Sequence, residues 1–331
     1  MEPTSQIEEV KALALDMGFT ACGVARAESI DPSCAAAFRE WLDQGRNAGM
    51  AYLQNHEDKR LDPRRLLEGA QSVICVALNY YPKQLLSPDQ LQFAYYAYGH
   101  DYHDVMRSRL GMLASALGMD PLSMGKGRGE AFKFCCDTVP MLDRYWAWRA
   151  GLGWIGRNKN LILPHHGSYF FLGEIITTRR FDHYDEPIAD HCGTCDRCLR
   201  ACPTGALTQT DDGQTTLDAR RCLSYLTIEH RGDLSPDTAS AMGNCIYGCD
   251  RCQQACPYNR NARPTDVADF EPTDDFLHMQ SKDWQQLTPE QYRRLFRGSA
   301  VKRAKYEGLR RNIDAIGIGP IHPSHMTDSP L

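Results

Sequence analysis

Apolar positions recur at helical spacing from near the start of the chain. Ile7, Val10, Leu13, Ala14 and Met17 fall on one face of a helix predicted over 6–17, which Gly18 ends. A strand is predicted over 20–25. Asp31-Pro32 then places an N-cap residue before a proline at the first helical position, so a second helix is predicted to about Gly45. Asp62-Pro63 repeats that start signal. Residues 72–78 form an uninterrupted apolar run with the length of a buried strand, in which Cys75 reads as core. Residues 131–137 read as a strand ending on the carboxylate of Asp137, with Pro140 and a Trp-rich helix to Ala150 behind it. Residues 161–163 and 169–177 return to extended structure. The pattern predicts an α/β portion with antiparallel pairing. Further on, Thr288-Pro-Glu-Gln291 is a capping box opening a helix with Tyr292, Leu295 and Phe296 on one face.

Composition narrows the setting. A chain of 331 residues has room for one large domain and a small one, and a net charge of −5 gives no global attraction to nucleic acid, so any basic footprint must be local. Met1 to Val10 is polar and acidic, unlike a secretory signal, and no apolar run approaches the roughly 18 residues of a membrane span. The expectation is a soluble protein with no membrane partner. Nine of the fourteen cysteines lie between Cys192 and Cys256. Disulfide scaffolds spread their cysteines, so this clustering points to metal in a reducing cytoplasm.

The spacing within that cluster is specific. Cys192-x2-Cys195-x2-Cys198-x3-Cys202-Pro203 is followed by Cys249-x2-Cys252-x3-Cys256-Pro257. In two-cluster ferredoxins, three closely spaced thiolates bind one 4Fe-4S cube and the cysteine before each proline reaches across to the other. Carried over, one cluster takes Cys192, Cys195, Cys198 and Cys256, and the second takes Cys202, Cys249, Cys252 and one more. A full second run would put that ligand at position 246, which is Ile246. Cys245 and Cys222 are the candidates, and Cys222 is favoured because a one-residue slip moves a sulfur by about 3.8 Å. Four-cysteine zinc is the competing metal, but the x3-Cys-Pro ending occurs twice.

Other segments carry weaker signals. Residues 80–104 are crowded with aromatics, either a packed wall or the lining for a flat ligand. Asp137, at a strand end beside apolar residues, is a candidate general acid because burial raises a carboxyl pKa. Gly151-x-Gly153-x-x-Gly156 resembles a nucleotide loop but follows a helix instead of a strand, so it reads as a place where backbone approaches a large ligand. Arg293, Arg294, Arg297, Lys302, Arg303, Lys305, Arg310 and Arg311 fall within 19 residues, a basic stretch, and 320–331 read as a loose tail.

Several blocks together resemble the epoxyqueuosine reductases. They are His56-x3-Arg60-x-Asp62-Pro63, Tyr98-Gly-x-Asp101-Tyr-His103, Asp137-Thr-Val-Pro140, Ala150-Gly-Leu-Gly-Trp-Ile-Gly156 and Gly167-Ser-x-x-Phe-Leu-Gly-Glu174. To these are added Cys222-Leu-Ser-Tyr-Leu-Thr-Ile-Glu229, Gly243-Asn-x-Ile-Tyr-Gly-Cys-Asp-x-Cys-Gln253 and both cysteine runs. The resemblance spans about 10–312. It implies an α+β protein: a nitroreductase-like α/β domain for cobalamin (1–185), a ferredoxin-like domain with two 4Fe-4S clusters (186–262), and a short helical basic region that contacts tRNA (263–331). It implies reduction of epoxyqueuosine to queuosine at the tRNA wobble position, an external electron donor and a monomer.

Residue by residue, the resemblance makes Asp137 the proton donor. It places Arg60, His100, Asp137, Asn158, Asn160, Leu161, Ser168 and Ser224 near cobalamin, and prefers Cys222 to Cys245 as a cluster ligand. His230, Arg231, Arg297, Lys302, Arg303 and Lys305 become candidate tRNA contacts. Arg157 stands where a lysine is more usual, which keeps the charge and alters the geometry. Two rival readings are a reductive dehalogenase acting on a small molecule, usually exported behind a twin-arginine signal, and a plain electron carrier, which needs neither Asp137 nor a large pocket.

Overall fold

The computed structural model describes residues 6–119, 130–210 and 213–317; the tail read at 320–331 lies outside them. The chain opens with α1 (Gln6–Asp16), β1 (Ala21–Arg26), α2 (Pro32–Asp43), α3 (Glu57–Leu61) and β2 (Ser72–Asn79). A short β3 (Gln92–Phe93) precedes α4 (Tyr102–Ala116), β4 (Phe132–Cys135), α5 (Asp143–Arg149), the hairpin β5 (Trp154–Ile155) and β6 (Leu161–Ile162), and β7 (Phe170–Thr177). Strands β1, β2, β7 and β4 form, in that order, one sheet in which every pair is antiparallel.

Both faces of this sheet are covered. Ile74, Val76 and Leu78 of β2 pack with Val10 of α1 and with Met106, Leu110 and Leu113 of α4. Val73, Cys75 and Ala77 point the other way, to Tyr145, Trp146 and Ala147 of α5. A strand buried on both sides has no polar face, and for that reason 72–78 reads as a continuous apolar run instead of an alternation. The two Asp-Pro signals fare differently. Asp31 does not cap α2; its Oδ2 accepts from the Tyr145 hydroxyl at 3.0 Å, which pins the helix start to α5. Asp62 does accept from the Arg64 amide, but it opens only the single turn Pro63–Arg65.

The cysteine-bearing portion contains α6 (Arg197–Arg200), the hairpin β8 (Leu207–Gln209) and β9 (Thr215–Leu217), α7 (Leu223–Ile228), α8 (Pro236–Met242), β10 (Cys245–Tyr247) and α9 (Arg251–Gln254). It joins the sheet portion at several points, Trp41 Nε1 donating to the Leu217 carbonyl at 2.6 Å among them. Strand β10 runs parallel to β3. A buried polar network also crosses between them: Gln253 Nε2 donates to the Ser168 carbonyl at 3.0 Å, and Asn259 Nδ2 donates to Ser168 Oγ at 2.9 Å.

Four helices follow, α10 (Asp274–Leu277), α11 (Ser281–Gln285), α12 (Pro289–Leu295) and α13 (Lys305–Ala315). The capping box at Thr288 is present, with Gln291 as its partner. These helices do not enclose a core of their own. Trp284, Phe296 and Leu309 share one with Phe93 and Tyr98 and with Ile246 and Tyr247. Asn312, fully buried in α13, donates to the carbonyls of Thr227 at 2.8 Å and Ile246 at 2.9 Å, tying α13 to α7 and β10. Asn312→Ala leaves two buried acceptors unpaired and is expected to cost about 1–3 kcal/mol in denaturant unfolding of the apoprotein. A cost near zero would mean that packing alone holds α13.

Candidate active site

Asp137 occupies the apex of a tight turn just beyond β4. The Thr138 amide donates to the Cys136 carbonyl at 2.6 Å, and Asp137 itself takes φ +51°, which a non-glycine residue holds only at a cost. The expectation of a buried carboxyl is corrected here: Asp137 is exposed, because the turn carries it off the end of the strand. Its Oδ2 accepts from the Tyr102 hydroxyl. Tyr102 is fixed in turn by stacking on Phe171 at 4.2 Å and 3° and on His103 at 4.1 Å. Of the aromatic segment 80–104, most rings are core, and the tip of Tyr102 is the part that reaches the site. Asp101 accepts from His103 Nδ1 at 2.7 Å, an ion pair that lowers the Asp101 pKa and raises that of His103.

Arg60 is buried close by. Its guanidinium donates to the carbonyls of Met141 and Tyr52, each at 3.3 Å, while Nε is buried without a partner. The exposed Tyr52 ring feels the charges of Glu229, Arg303, Asp137 and Arg60. It therefore marks where the sheet portion, the cysteine-bearing portion and the basic segment come together. Arg303 lies over that ring at 5.8 Å and forms a bidentate pair with Glu229 at 2.7 and 2.9 Å. Lys302 acts on Asp101, and His100 lies beside Gly298, so the basic segment borders the Asp137 neighbourhood.

Other candidates are placed less directly. Asn158 is buried, with Oδ1 accepting from the Asn160 amide and Nδ2 unpartnered. The Asn160 carbonyl closes the β5–β6 hairpin onto Gly156. Leu161 is core, packed in the cluster of Trp146. Ser168 accepts from Asn259 and Gln253 at its hydroxyl oxygen, accepts from Gln253 at its carbonyl and donates its amide to Asn259, so it joins portions of the chain. Ser224 lies in α7, next to Cys222. The glycine loop is also corrected: a Cβ at Gly153 would strike the Ile162 carbonyl, one at Gly156 the Ile162 side chain, and one at Gly151 the Glu186 carbonyl. Those glycines let the chain approach itself closely.

The basic stretch separates into two sets. Arg310 pairs with Asp314, Arg311 donates to the carbonyls of His230, Gly232 and Leu226, and Arg231 donates to those of Ile228 and Arg303. These hold the fold together. Arg297, Lys302 and Lys305 are exposed, and His230 is half-buried with Nε2 at 3.2 Å from the Asp233 carbonyl.

The cysteines fall into two quartets. Cys192, Cys195, Cys198 and Cys256 line one pocket with Asn158, Arg157, Arg197 and Tyr258. Cys202 and Cys222 act electrostatically on Cys252, as does Cys249. Burial pushes the thiols up, Cys198 to about 11 and Cys249 to about 12, so iron must supply the driving force for their deprotonation. Cys245 is buried, and its Sγ lies 3.0 Å from the Gly248 carbonyl. Three carboxyls escaped the sequence reading. Burial pushes Asp250, which accepts from the Tyr95 amide, and Asp143 each to about 7; Glu174 is raised further, again mainly by burial. A charged residue inside the apolar run 170–177 was the visible signal for Glu174.

Residues 60–138 match the family model described as Epoxyqueuosine reductase QueG, DUF1730, and residues 191–259 match the 4Fe-4S double cluster binding domain. An epoxyqueuosine reductase of Cellulophaga algicola is 40% identical over 305 residues, covering 92% of this chain and 96% of the relative. The chain belongs to the epoxyqueuosine reductase family. One from Gloeobacter violaceus is 40% identical over 94% of this chain and 95% of its own length. Among solved structures, an epoxyqueuosine reductase with a tRNA-Tyr epoxyqueuosine-modified stem loop superposes with a TM-score of 0.81 at 30% identity, covering 93% of this chain and 80% of that one. The Streptococcus thermophilus enzyme gives 0.78 at 30% identity with the same coverage.

The double-cluster match decides the metal in favour of two 4Fe-4S clusters over zinc. The choice of the eighth ligand is a matter for experiment. After anaerobic reconstitution, Cys222→Ser is expected to bind about four irons where the parent binds about eight, and Cys245→Ser to keep about eight. The reverse result would make Cys245 the ligand.

Proposed function

We propose that this chain reduces epoxyqueuosine to queuosine in tRNA. Residues 1–185 would hold cobalamin, 186–262 the two clusters, and 263–331 a surface for the anticodon stem loop. The observation that carries the reading is the exposed, strained Asp137, oriented by Tyr102 and bordered by Arg60 and the basic segment, in a chain that also matches a double-cluster domain. Family relationship supports it, including the relative solved with a modified tRNA stem loop.

The residues fit the cofactor the family reading requires. Arg60 Nε is a buried donor with no partner in the protein and can serve the corrin; Asn158 Nδ2 is another, on the wall shared with Cys192, Cys195, Cys198 and Cys256, between the two cofactor regions of the reading. Bound cobalamin and iron-sulfur clusters supply the low-potential single-electron chemistry that side chains lack. The net reaction consumes two electrons and two protons, converts the epoxide to an alkene and releases its oxygen as water. The protein's task is to deliver protons to that oxygen. Asp137 is the donor, and the Tyr102 O–H bonded to Oδ2 fixes the carboxyl orientation. Arg297, Lys302 and Lys305 meet RNA phosphates, and Arg303 braces the surface through Glu229. His230 and Arg231 border the same surface. A reducing electron donor feeds the clusters, and the reading is of a cytoplasmic monomer. Among the described residues no helix is long and apolar enough to cross a membrane.

Anaerobic protein reconstituted with iron, sulfide and cobalamin and supplied with a strong reductant should convert epoxyqueuosine-tRNA to queuosine-tRNA, in a cobalamin-dependent manner. Asp137→Asn should retain both cofactors and lose at least about a hundredfold in turnover. Near-normal turnover would remove Asp137 from its role. Lys302→Ala with Lys305→Ala should lower the slope of log affinity against log salt by roughly 0.7–0.9 for each phosphate no longer neutralised, and an unchanged slope would place the RNA elsewhere.

A further inference from the structure

A second carboxyl site lies near Asp137 and takes no part in the chemistry given above. Glu174 of β7 is fully buried, directly across from Cys75 of β2 and Cys135 of β4. Opposed residues of antiparallel strands point to one face, so all three face α5, whose first residue is Asp143. Neither carboxyl oxygen of Glu174 meets an N–H or hydroxyl donor, and buried Asp143 Oδ1 lacks one as well. The Asp143 carboxyl meets its own backbone N–H and the Glu174 carboxyl, and the Glu174 carboxyl meets that of Asp143. Two carboxylates only accept; they can bond one another only if one of them carries a proton.

We propose that Asp143 and Glu174 share one proton and form a reservoir that reprotonates Asp137, supplying the second proton of the reduction. The proposal rests on the reading of Asp137 as donor. Its charge acts on both members of the pair, and burial opposes ionisation of both at once. Asp137 gives one proton and becomes a carboxylate, and a second proton must reach it; solvent is one source for this exposed side chain, and the pair is the internal one, returning a proton to Asp137 and refilling from solvent after the oxygen has left as water. Tyr102 cannot play this part, because burial drives its hydroxyl far above the ordinary phenol range. The thiols of Cys75 and Cys135 face the pair, that of Cys136 packs on the opposite side of the sheet but feels both carboxyls, all three are pushed up by burial, and the cations Arg144 and Arg60 interact with Asp143. His103 is the rival source, since it also feels Asp137, but Asp101 holds its Nδ1. Asp143 and Glu174 act through Asp137 and are therefore positioning residues.

Two measurements test this. In the apoprotein, an infrared pH titration should show a protonated carboxyl persisting near about pH 7 and lost in Asp143→Asn. Since Asp250 also holds its proton high, the loss in the variant is what assigns the band. A band unchanged by Asp143→Asn overturns the proposal whether or not the chain reduces epoxyqueuosine. In the loaded enzyme, Asp143→Asn/Glu174→Gln should turn over at least about tenfold more slowly and recover as imidazole buffer is raised, with the parent insensitive to it. Should the double variant not fold, Asp143→Asn serves alone. A folded variant with parental turnover, a loss that imidazole does not restore, or the same rescue pattern confined to His103→Gln would each overturn it. An inactive parent with the Asp143-dependent band present would refute the substrate reading and with it the role given to the pair.

Discussion

Burial of the sheet on both faces is the constraint from which the rest follows. With α1 and α4 on one side and α5 on the other, β2 and the middle of β7 have no solvent-facing positions. Such strands admit only groups that are apolar or bonded internally. Reactive groups are therefore displaced to where the sheet ends. Asp137 is carried out by a strained turn past β4, and Tyr102 reaches it from the start of α4 with its ring flat on Phe171. Glu174 is the exception, a carboxyl kept in the middle of the sheet, where among the described residues its oxygens meet no N–H or hydroxyl donor and it faces the carboxyl of Asp143.

A similar economy governs the joints between portions of the chain. Ser168, Gln253 and Asn259 satisfy one another in a buried network, and Asn312 satisfies two carbonyls from separate elements. Each replaces apolar packing by a bond of fixed direction, which sets the cysteine-bearing portion in one orientation against the sheet. Orientation matters for electron transfer into a site built largely from the other portion. The thiols themselves oppose ionisation while no iron is present, so folding of this region and loading with metal are linked.

The residues that were legible in advance were those whose meaning is local. Two Cys-Pro-terminated runs at fixed spacing, the apolar run of β2, the capping box at Thr288 and the strand-end position of Asp137 are all written within a few neighbouring residues. Signals needing a partner elsewhere were misread. Asp31 has the form of a cap, yet Tyr145, 114 positions away, takes its carboxylate. The glycines of 151–156 look made for a ligand, yet Ile162 and Glu186 fill the space.

Family, metal chemistry and several of the helices and strands are readable from the residues in a line, because ligand spacing and hydrophobic period are short-range properties of a chain, whereas the longest helix among the described residues, α4, was not read. Which polar groups are spent on the fold and which are left over emerges only from the closed molecule. Arg311 and Arg303 belong to one basic stretch, but the first is consumed by three carbonyls and the second faces Tyr52 at the site. Asp137 lies in the open and Glu174 in the core, although the residues flanking both are largely apolar. Desolvation and hydrogen-bond satisfaction depend on what surrounds a group in space, and that is fixed only when distant segments close around it.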